Sequence, residues 1–315
     1  MSRPPRPPLP TRDGVSPSSV ALPSGPWPTV LDFMAERLPA VSRVEWATRM
    51  QAGDVLDDDG QPVPPEAAYR PQTRLHYWRA LPFEHPIPFQ EDIVFMDEHL
   101  VIADKPHFLP ITPKGRYVQE TLLVRLKRRL GIDTLVPIHR LDRETAGLIA
   151  FTARPHERNV YQALFRERAV RKVYEAVAPL RVDLALPLTH RSRLLESAHF
   201  MAMEEVPGEP NSETLIELIE GRPDQGRGLY RLSPHTGKRH QLRAHMHALG
   251  IPLVNDRIYP VLQAADPLDT PPDWRQPLQL LARHLAFDDP VTGQRRSFTS
   301  RRSLDWPPSP PPDPV

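Results

Sequence analysis

The stretch HRLDRETAGLIAF, residues 139–151, changes character in its middle. Its first half is polar and charged, and from Ala146 onward it is almost wholly apolar. A short apolar run behind a polar turn reads as a buried strand. Gly147–Thr152 is therefore expected to lie in a sheet core, with Asp142 in the turn at its entrance. Such a position holds a carboxylate rigidly at a sheet end, open to a cleft. The neighbouring Arg140 and Arg143 suit phosphate and lower the pKa of a nearby carboxyl group. A plain turn aspartate beside surface arginines fits the same letters, because Asp favours turns.

Two more segments carry chemistry. In RKVYEAV, residues 171–177, the alternation of a strand puts Lys172 and Tyr174 on one side. That pair reads as a cation beside an aromatic platform, or as an amphipathic edge strand. HTGKRHQLRAHMH, residues 235–247, holds four histidines. A metal site is not expected there. His240 and His245 are five apart, not the four that share a helix face, and no cysteine accompanies them. Thr236-Gly237 reads instead as the opening of a helix over Lys238–Leu249, with Lys238 and Arg239 in an anion-binding first turn. Arg239 and Arg243 share a face, one able to reach phosphate and the other a buried carboxylate.

Outward from these segments, strands and helices intermix without a regular βαβ repeat. Strands are expected at Ile93–Met96, Leu100–Ala103, Val170–Ala178, Thr214–Glu220, Gly228–Ser233 and Leu278–Phe287, and helices at Gln119–Leu130 and Pro155–Arg168. The first of these helices shows a cationic face of Arg125, Lys127, Arg128 and Arg129. The mixture predicts an α+β domain with a mixed, largely antiparallel sheet flanked by helices. Upstream, residues 29–40 read as a short helix. Ser42 caps a second one ending at Gly53, and Asp58-Asp59-Gly60 turns a hairpin between Asp54–Leu56 and Gln61–Val63.

Proline divides the chain further. Of 41 prolines, nine fall in residues 1–28 and six in residues 307–315. Proline blocks helix interiors and sheet ladders. The expected organisation is a disordered Pro-rich tail (1–28), a small α/β module (29–80), a linker (81–90), a catalytic domain (91–304) and a second Pro-rich tail (305–315). With 315 residues and no cysteine, disulfide scaffolds, thiolate zinc sites and a cysteine nucleophile are excluded. No apolar run suggests a membrane span.

The formal net charge of +1 looks unsuited to a nucleic-acid partner, but it is a cancellation. Residues 105–193 carry 18 basic and 8 acidic side chains, net +10, whereas residues 45–104 carry 4 and 12, net −8. Arginine outnumbers lysine 35 to 5. GC-rich codon usage raises Arg and Pro together, yet it does not explain why the basic groups cluster around Asp142.

HRLDRETAGLIAF (139–151), RKVYEAV (171–177) and TGKRHQLRAHMHALGIPLVNDRIY (236–259) resemble three successive signatures of the RluA-type RNA pseudouridine synthases. VIADKPHFLPITP (101–113) resembles that family's opening strand and Lys-Pro turn, and LARHLAFDDPVTGQRRSF (281–298) its closing strand. The match spans about residues 91–300 in family order and implies the pseudouridine-synthase fold. Ala146 stands where the family usually has Ser, Lys238-Arg239 replaces Arg-Thr, and Asn255 and Pro260 replace glycines. Residues 29–63 resemble, more loosely, the alpha-L RNA-binding domain. Its hairpin here is acidic, with Asp54, Asp57, Asp58 and Asp59, and repels phosphate, so the module reads as degenerate.

The resemblance implies an isomerase acting on uridine in ribosomal or transfer RNA, or both. Asp142 would be its catalytic carboxylate, Tyr174 the ring stacked on a flipped base, and Arg243 the partner of Asp142. Arg140, Arg143, Lys172, Lys238, Arg239 and His240 would contact RNA. No cofactor is needed for an isomerisation without redox change, and no metal is implied. A cytoplasmic monomer is expected. The competing reading is a non-catalytic RNA-binding or ribosome-assembly factor on the same fold.

Overall fold

Thr29 and Ser42 each end an extended segment and open a helix. The computed structural model describes residues 9–197, 202–264, 267 and 270–306. In it the Thr29 hydroxyl accepts the Asp32 N–H at 3.1 Å, and the Asp32 carboxylate accepts the Thr29 N–H at 3.0 Å. This reciprocal pair satisfies donors that the helix end leaves orphaned. Helix α1 runs Val30–Arg37, and α2, capped by Ser42, runs Arg43–Gln51. Phe33, Met34, Trp46 and Met50 form their buried faces. They pack with Val55 and Leu75 of a three-stranded antiparallel sheet, β1 (Ser18–Ala21), β2 (Val55–Asp57) and β3 (Arg74–Tyr77), in the order β1-β3-β2.

Strand β1 corrects the reading of residues 1–28 as a disordered tail. Proline flanks Ser18–Ala21 but does not interrupt it, and the segment pairs fully with β3. Residues 1–8 of the expected tail, and 307–315 of the second, lie outside the described residues. The acidic turn forms as expected: the Asp57 carboxylate accepts the N–H groups of Asp59 and Gln61, both at 2.8 Å. Its return limb pairs as expected, the Asp57 N–H donating to the Gln61 carbonyl and the Val63 N–H to the Val55 carbonyl, both at 2.9 Å, while β2 also pairs with β3 in the sheet.

This first compact unit comprises the chain to Glu84 with Gly115–Gln119 and Val124–Asp133. The single cut expected near residue 91 is thus an interleaved boundary. Leu81, expected in a linker, packs with Val15, Val118 and Val124. Helix α3, Leu122–Leu130, starts later than expected. Lys127 does not join its cationic face, being 3% exposed and donating to Ser16 Oγ at 2.7 Å.

The second unit comprises His85–Lys114, Glu120–Leu123 and the chain from Thr134. Its strands are β4 (Asp92–Met96), β5 (Leu100–Lys105), β6 (Val136–Pro137), β7 (Ala146–Thr152), β8 (Arg171–Pro179), β9 (Leu188–Glu196), β10 (Met203–Val206), β11 (Ser212–Arg222), β12 (Arg227–Pro234), β13 (Leu280–Asp288) and β14 (Arg295–Thr299). They form one sheet in the order β10-β9-β11-β12-β8-β13-β7-β5-β4, with β14 beside β13 and β6 beside β7. All pairings are antiparallel except β13 with β7. The expected α+β class with a mixed, largely antiparallel sheet is what the chain adopts. Helix α4 (Arg158–Arg166) contributes Tyr161 to the cluster around Leu148, Ala150 and Phe287. Helix α5 (Gln241–Ala248) packs Leu242 and Met246 on Ala176, Ala178, Ile216 and Leu232. Strands β9 and β10 escaped the sequence reading because β9 is polar and only its Leu194 is fully buried.

Gly147 marks the parallel seam. Its φ is +108°, and a Cβ there would stand 2.3 Å from the Ala282 carbonyl oxygen on β13. Neither the backbone conformation nor the space admits a side chain. Gly147→Ala is expected to cost roughly 3 kcal/mol or more of stability. A urea midpoint equal to that of the wild type would contradict this.

Candidate active site

Asp142 is fixed by the seam just described. Its turn closes with the Thr145 N–H on the Asp142 carbonyl at 3.2 Å, immediately before β7. From the far side of the seam, β8 contributes Lys172 and Tyr174. Helix α5 contributes Arg243, and the loop before it contributes Lys238, Arg239 and His240. All of these, with Arg140, line one open pocket of about 320 Å³. Arg143 does not line it; its guanidinium pairs with Glu144.

The loop differs from the expected helix start. Helix α5 begins at Gln241, because His240 takes a left-handed conformation at φ 50°. Lys238 and Arg239 therefore lie before the helix, not in its first turn. Gln241 braces them: its Oε1 accepts the Lys238 N–H at 3.0 Å and the Thr236 hydroxyl at 2.7 Å. Lys172 Nζ donates to the Thr236 carbonyl at 3.3 Å, and Arg239 pairs with Glu196 at 3.3 Å.

Arg243 is 2% exposed and spans two carboxylates. Its Nη1 lies 3.3 Å from Asp142 Oδ2. Its tighter partner is Asp256, bound as a fork at 2.8 and 2.6 Å. Asp256, wholly buried, also accepts the N–H groups of Ile258 and Tyr259 at 2.8 and 3.1 Å. Sequence reasoning missed Asp256, although it stands in the Asn255–Pro260 run singled out for its lost glycines.

Electrostatics follow from this bracket. Burial opposes the charge on Asp142. His240 when protonated, with Arg243 and Arg140, outweighs it and holds the carboxyl below its ordinary value. Burial pushes His240, whose Nε2 is 3.8 Å from Asp142 Oδ2, down to about 4. At neutral pH the arginines therefore supply the stabilising charge. Burial, then the charge of Asp142, pushes the Tyr174 phenol well above its usual value, so it stays protonated.

The walls and floor were not foreseen. Phe165 stacks on His139 at 4.5 Å. Burial pushes His139 down to about 4, and its Nε2 accepts the Ala150 N–H at 3.1 Å, so it is a neutral structural group. Beneath the Asp142 turn, Lys105 Nζ donates to the Arg143 carbonyl at 2.9 Å. His107 Nδ1 meets the Glu144 carbonyl at 2.7 Å. A carbonyl only accepts, so Nδ1 of His107 carries the proton.

A polar pocket with an ionised carboxylate, a protonated aromatic hydroxyl and several cations suits an anionic polymer bearing a planar base. The family of RNA pseudouridylate synthases matches over residues 99–248. An uncharacterised RNA pseudouridine synthase of Synechocystis sp. is 30% identical over 240 residues, covering 73% of this chain and 79% of that protein. The dual-specificity RNA pseudouridine synthase RluA of Pasteurella multocida is 32% identical over 219 residues, covering 66% and 92%. Human RNA pseudouridylate synthase domain containing 1 shares the fold, with a TM-score of 0.53 at 21% identity over 68% of this chain and 84% of that one.

Proposed function

The chain belongs to the RNA pseudouridine synthase family and isomerises uridine in RNA to pseudouridine, and from that premise we propose that Asp142 is its catalytic carboxylate. The observation that carries this reading is the bracket of Arg243, whose guanidinium reaches Asp142 in an open pocket while the Asp256 fork holds it in place. The reaction breaks the bond from N1 to C1′, joins C1′ to C5, moves a proton onto N1 and releases the one on C5. No electrons are gained or lost. An ionised carboxylate serves attack on the sugar, attack on the base, or removal of the 2′ proton.

The reacting atoms are hidden in a stacked base, so the uridine flips into the pocket. Tyr174 covers one face of it, and Arg140, Lys172, Lys238, Arg239 and His240 line its approach. Arg143, paired with Glu144 off the pocket, has at most an outer contact with RNA. Tyr174→Ala is expected to weaken RNA binding about tenfold, the usual value of one base–aromatic stack. Tyr174→Phe should keep most of that affinity. Equal losses in the two variants, read by filter binding, would count against stacking.

Ribosomal or transfer RNA is the substrate class, in keeping with the dual specificity in the name of the Pasteurella relative. We propose that the enzyme acts as a monomer. Among the described residues no helix is long and apolar enough to cross a membrane. We propose that the enzyme works beside its RNA in the cytoplasm. The test is site-resolved pseudouridine mapping in cells lacking the protein. A modification should disappear from ribosomal or transfer RNA and return with the wild-type gene but not with Asp142→Asn. An unchanged map would refute the assignment.

A further inference from the structure

Phe108 is a bulky residue in the left-handed region, at φ 66°. Such a conformation is strained for a bulky side chain and persists only where its surroundings impose it. The surroundings are aromatic. Phe108, 5% exposed, stacks against Phe89 at 6.0 Å and 25°. Trp274 meets Phe108 edge-on at 5.2 Å and Phe89 at 6.0 Å. These are favourable ring geometries. They fix the turn that follows β5, and the residue just before Phe108 is His107, whose Nδ1–H holds the Glu144 carbonyl at 2.7 Å. Glu144 lies two residues beyond Asp142.

We propose that the His107–Phe108 turn, clamped by Phe89 and Trp274, is a positioning element that sets the loop carrying Asp142. The inference rests on Asp142 being the catalytic carboxylate. Neither His107 nor the three aromatic rings line the pocket, so they act through the Glu144 carbonyl and not on substrate. The strained turn aims the aromatic ring at its clamp and, one residue earlier, the imidazole at the loop. Losing either grip lets Asp142 drift, and a drift near 1 Å costs on the order of a hundredfold in rate.

The test compares full-length variants under saturating and limiting RNA. His107→Phe keeps a ring but loses the donor, and should lower kcat about 10- to 100-fold with KM within about twofold. His107→Asn restores an N–H near the position of Nδ1 and should recover most of the loss. Phe108→Gly relaxes the backbone, since glycine adopts φ 66° freely. It also removes the clamped ring, so kcat should still fall. If only the backbone conformation mattered, Phe108→Gly would match the wild type, and the clamp would be refuted. Wild-type kcat in His107→Phe, or a His107→Asn variant no better than His107→Phe, would refute the carbonyl grip. Should His107→Phe not fold by circular dichroism, Phe108→Gly decides alone. Asp142→Asn serves as the control: activity in that variant would overturn the catalytic reading itself, whereas its inactivity beside unaffected turn variants would overturn only this inference.

Discussion

Asp142→Asn is expected to lower kcat by roughly 10⁴-fold while RNA affinity stays within a few-fold of the wild type. The amide matches the carboxylate in shape, so packing is kept. It lacks the charge and lone-pair basicity that every route through this site requires. The fold should tolerate the change because Arg243 is not stranded: Asp256 still engages it through two hydrogen bonds. The assay is release of label from RNA carrying uridine tritiated at C5, since the proton there is lost in the reaction. Label release at the wild-type rate would remove Asp142 from the chemistry.

Arg243→Leu has the second large effect, and it separates stability from catalysis. The substitution leaves Asp256 charged and wholly buried with no counter-ion. Breaking such a pair from one side costs about 3–5 kcal/mol, readable in urea denaturation. Adding Asp256→Asn removes the stranded charge and should recover much of that loss. Activity should stay well below that of the wild type, though measurable, in the double variant. Without Arg243, burial governs Asp142 and its pKa rises. In the wild type Asp142 is held below the ordinary carboxylate value, so activity should persist as pH falls toward that value. In the double variant the acid limb of the kcat profile should move to higher pH. An unchanged limb would show that Arg243 does not hold the charge on Asp142.

Much of the site was legible because its chemistry is written locally. Asp142 stands at a polar-to-apolar switch, Lys172 and Tyr174 alternate on one strand, and Arg243 lies on a helix whose periodicity is visible. The misses are tertiary. Asp256 became the firmest partner of Arg243 across a helix end and a turn, where no spacing rule applies. The start of α5 was misplaced because the left-handed His240 and the bracing Gln241 side chain delay the helix past Lys238 and Arg239. Lys105 and His107 bind backbone carbonyls of a distant loop, and a carbonyl acceptor leaves no trace in residue identity. In the fold, β1 was hidden by its flanking prolines, and β9 by its polar sequence.

Strand β13 has a consequence for the order in which the enzyme comes into being. Among the described residues it is the one strand bonded both to the β4–β7 side of the sheet and to the β8–β12 side. Asp142 precedes β7, and Tyr174 lies on β8, so the two sides each carry part of the proposed site. β13 does not begin until Leu280. During synthesis the two half-sheets therefore emerge without the strand that joins them, and closing so long a loop is slow. The proposed site is assembled only once β13 has docked between the two sides.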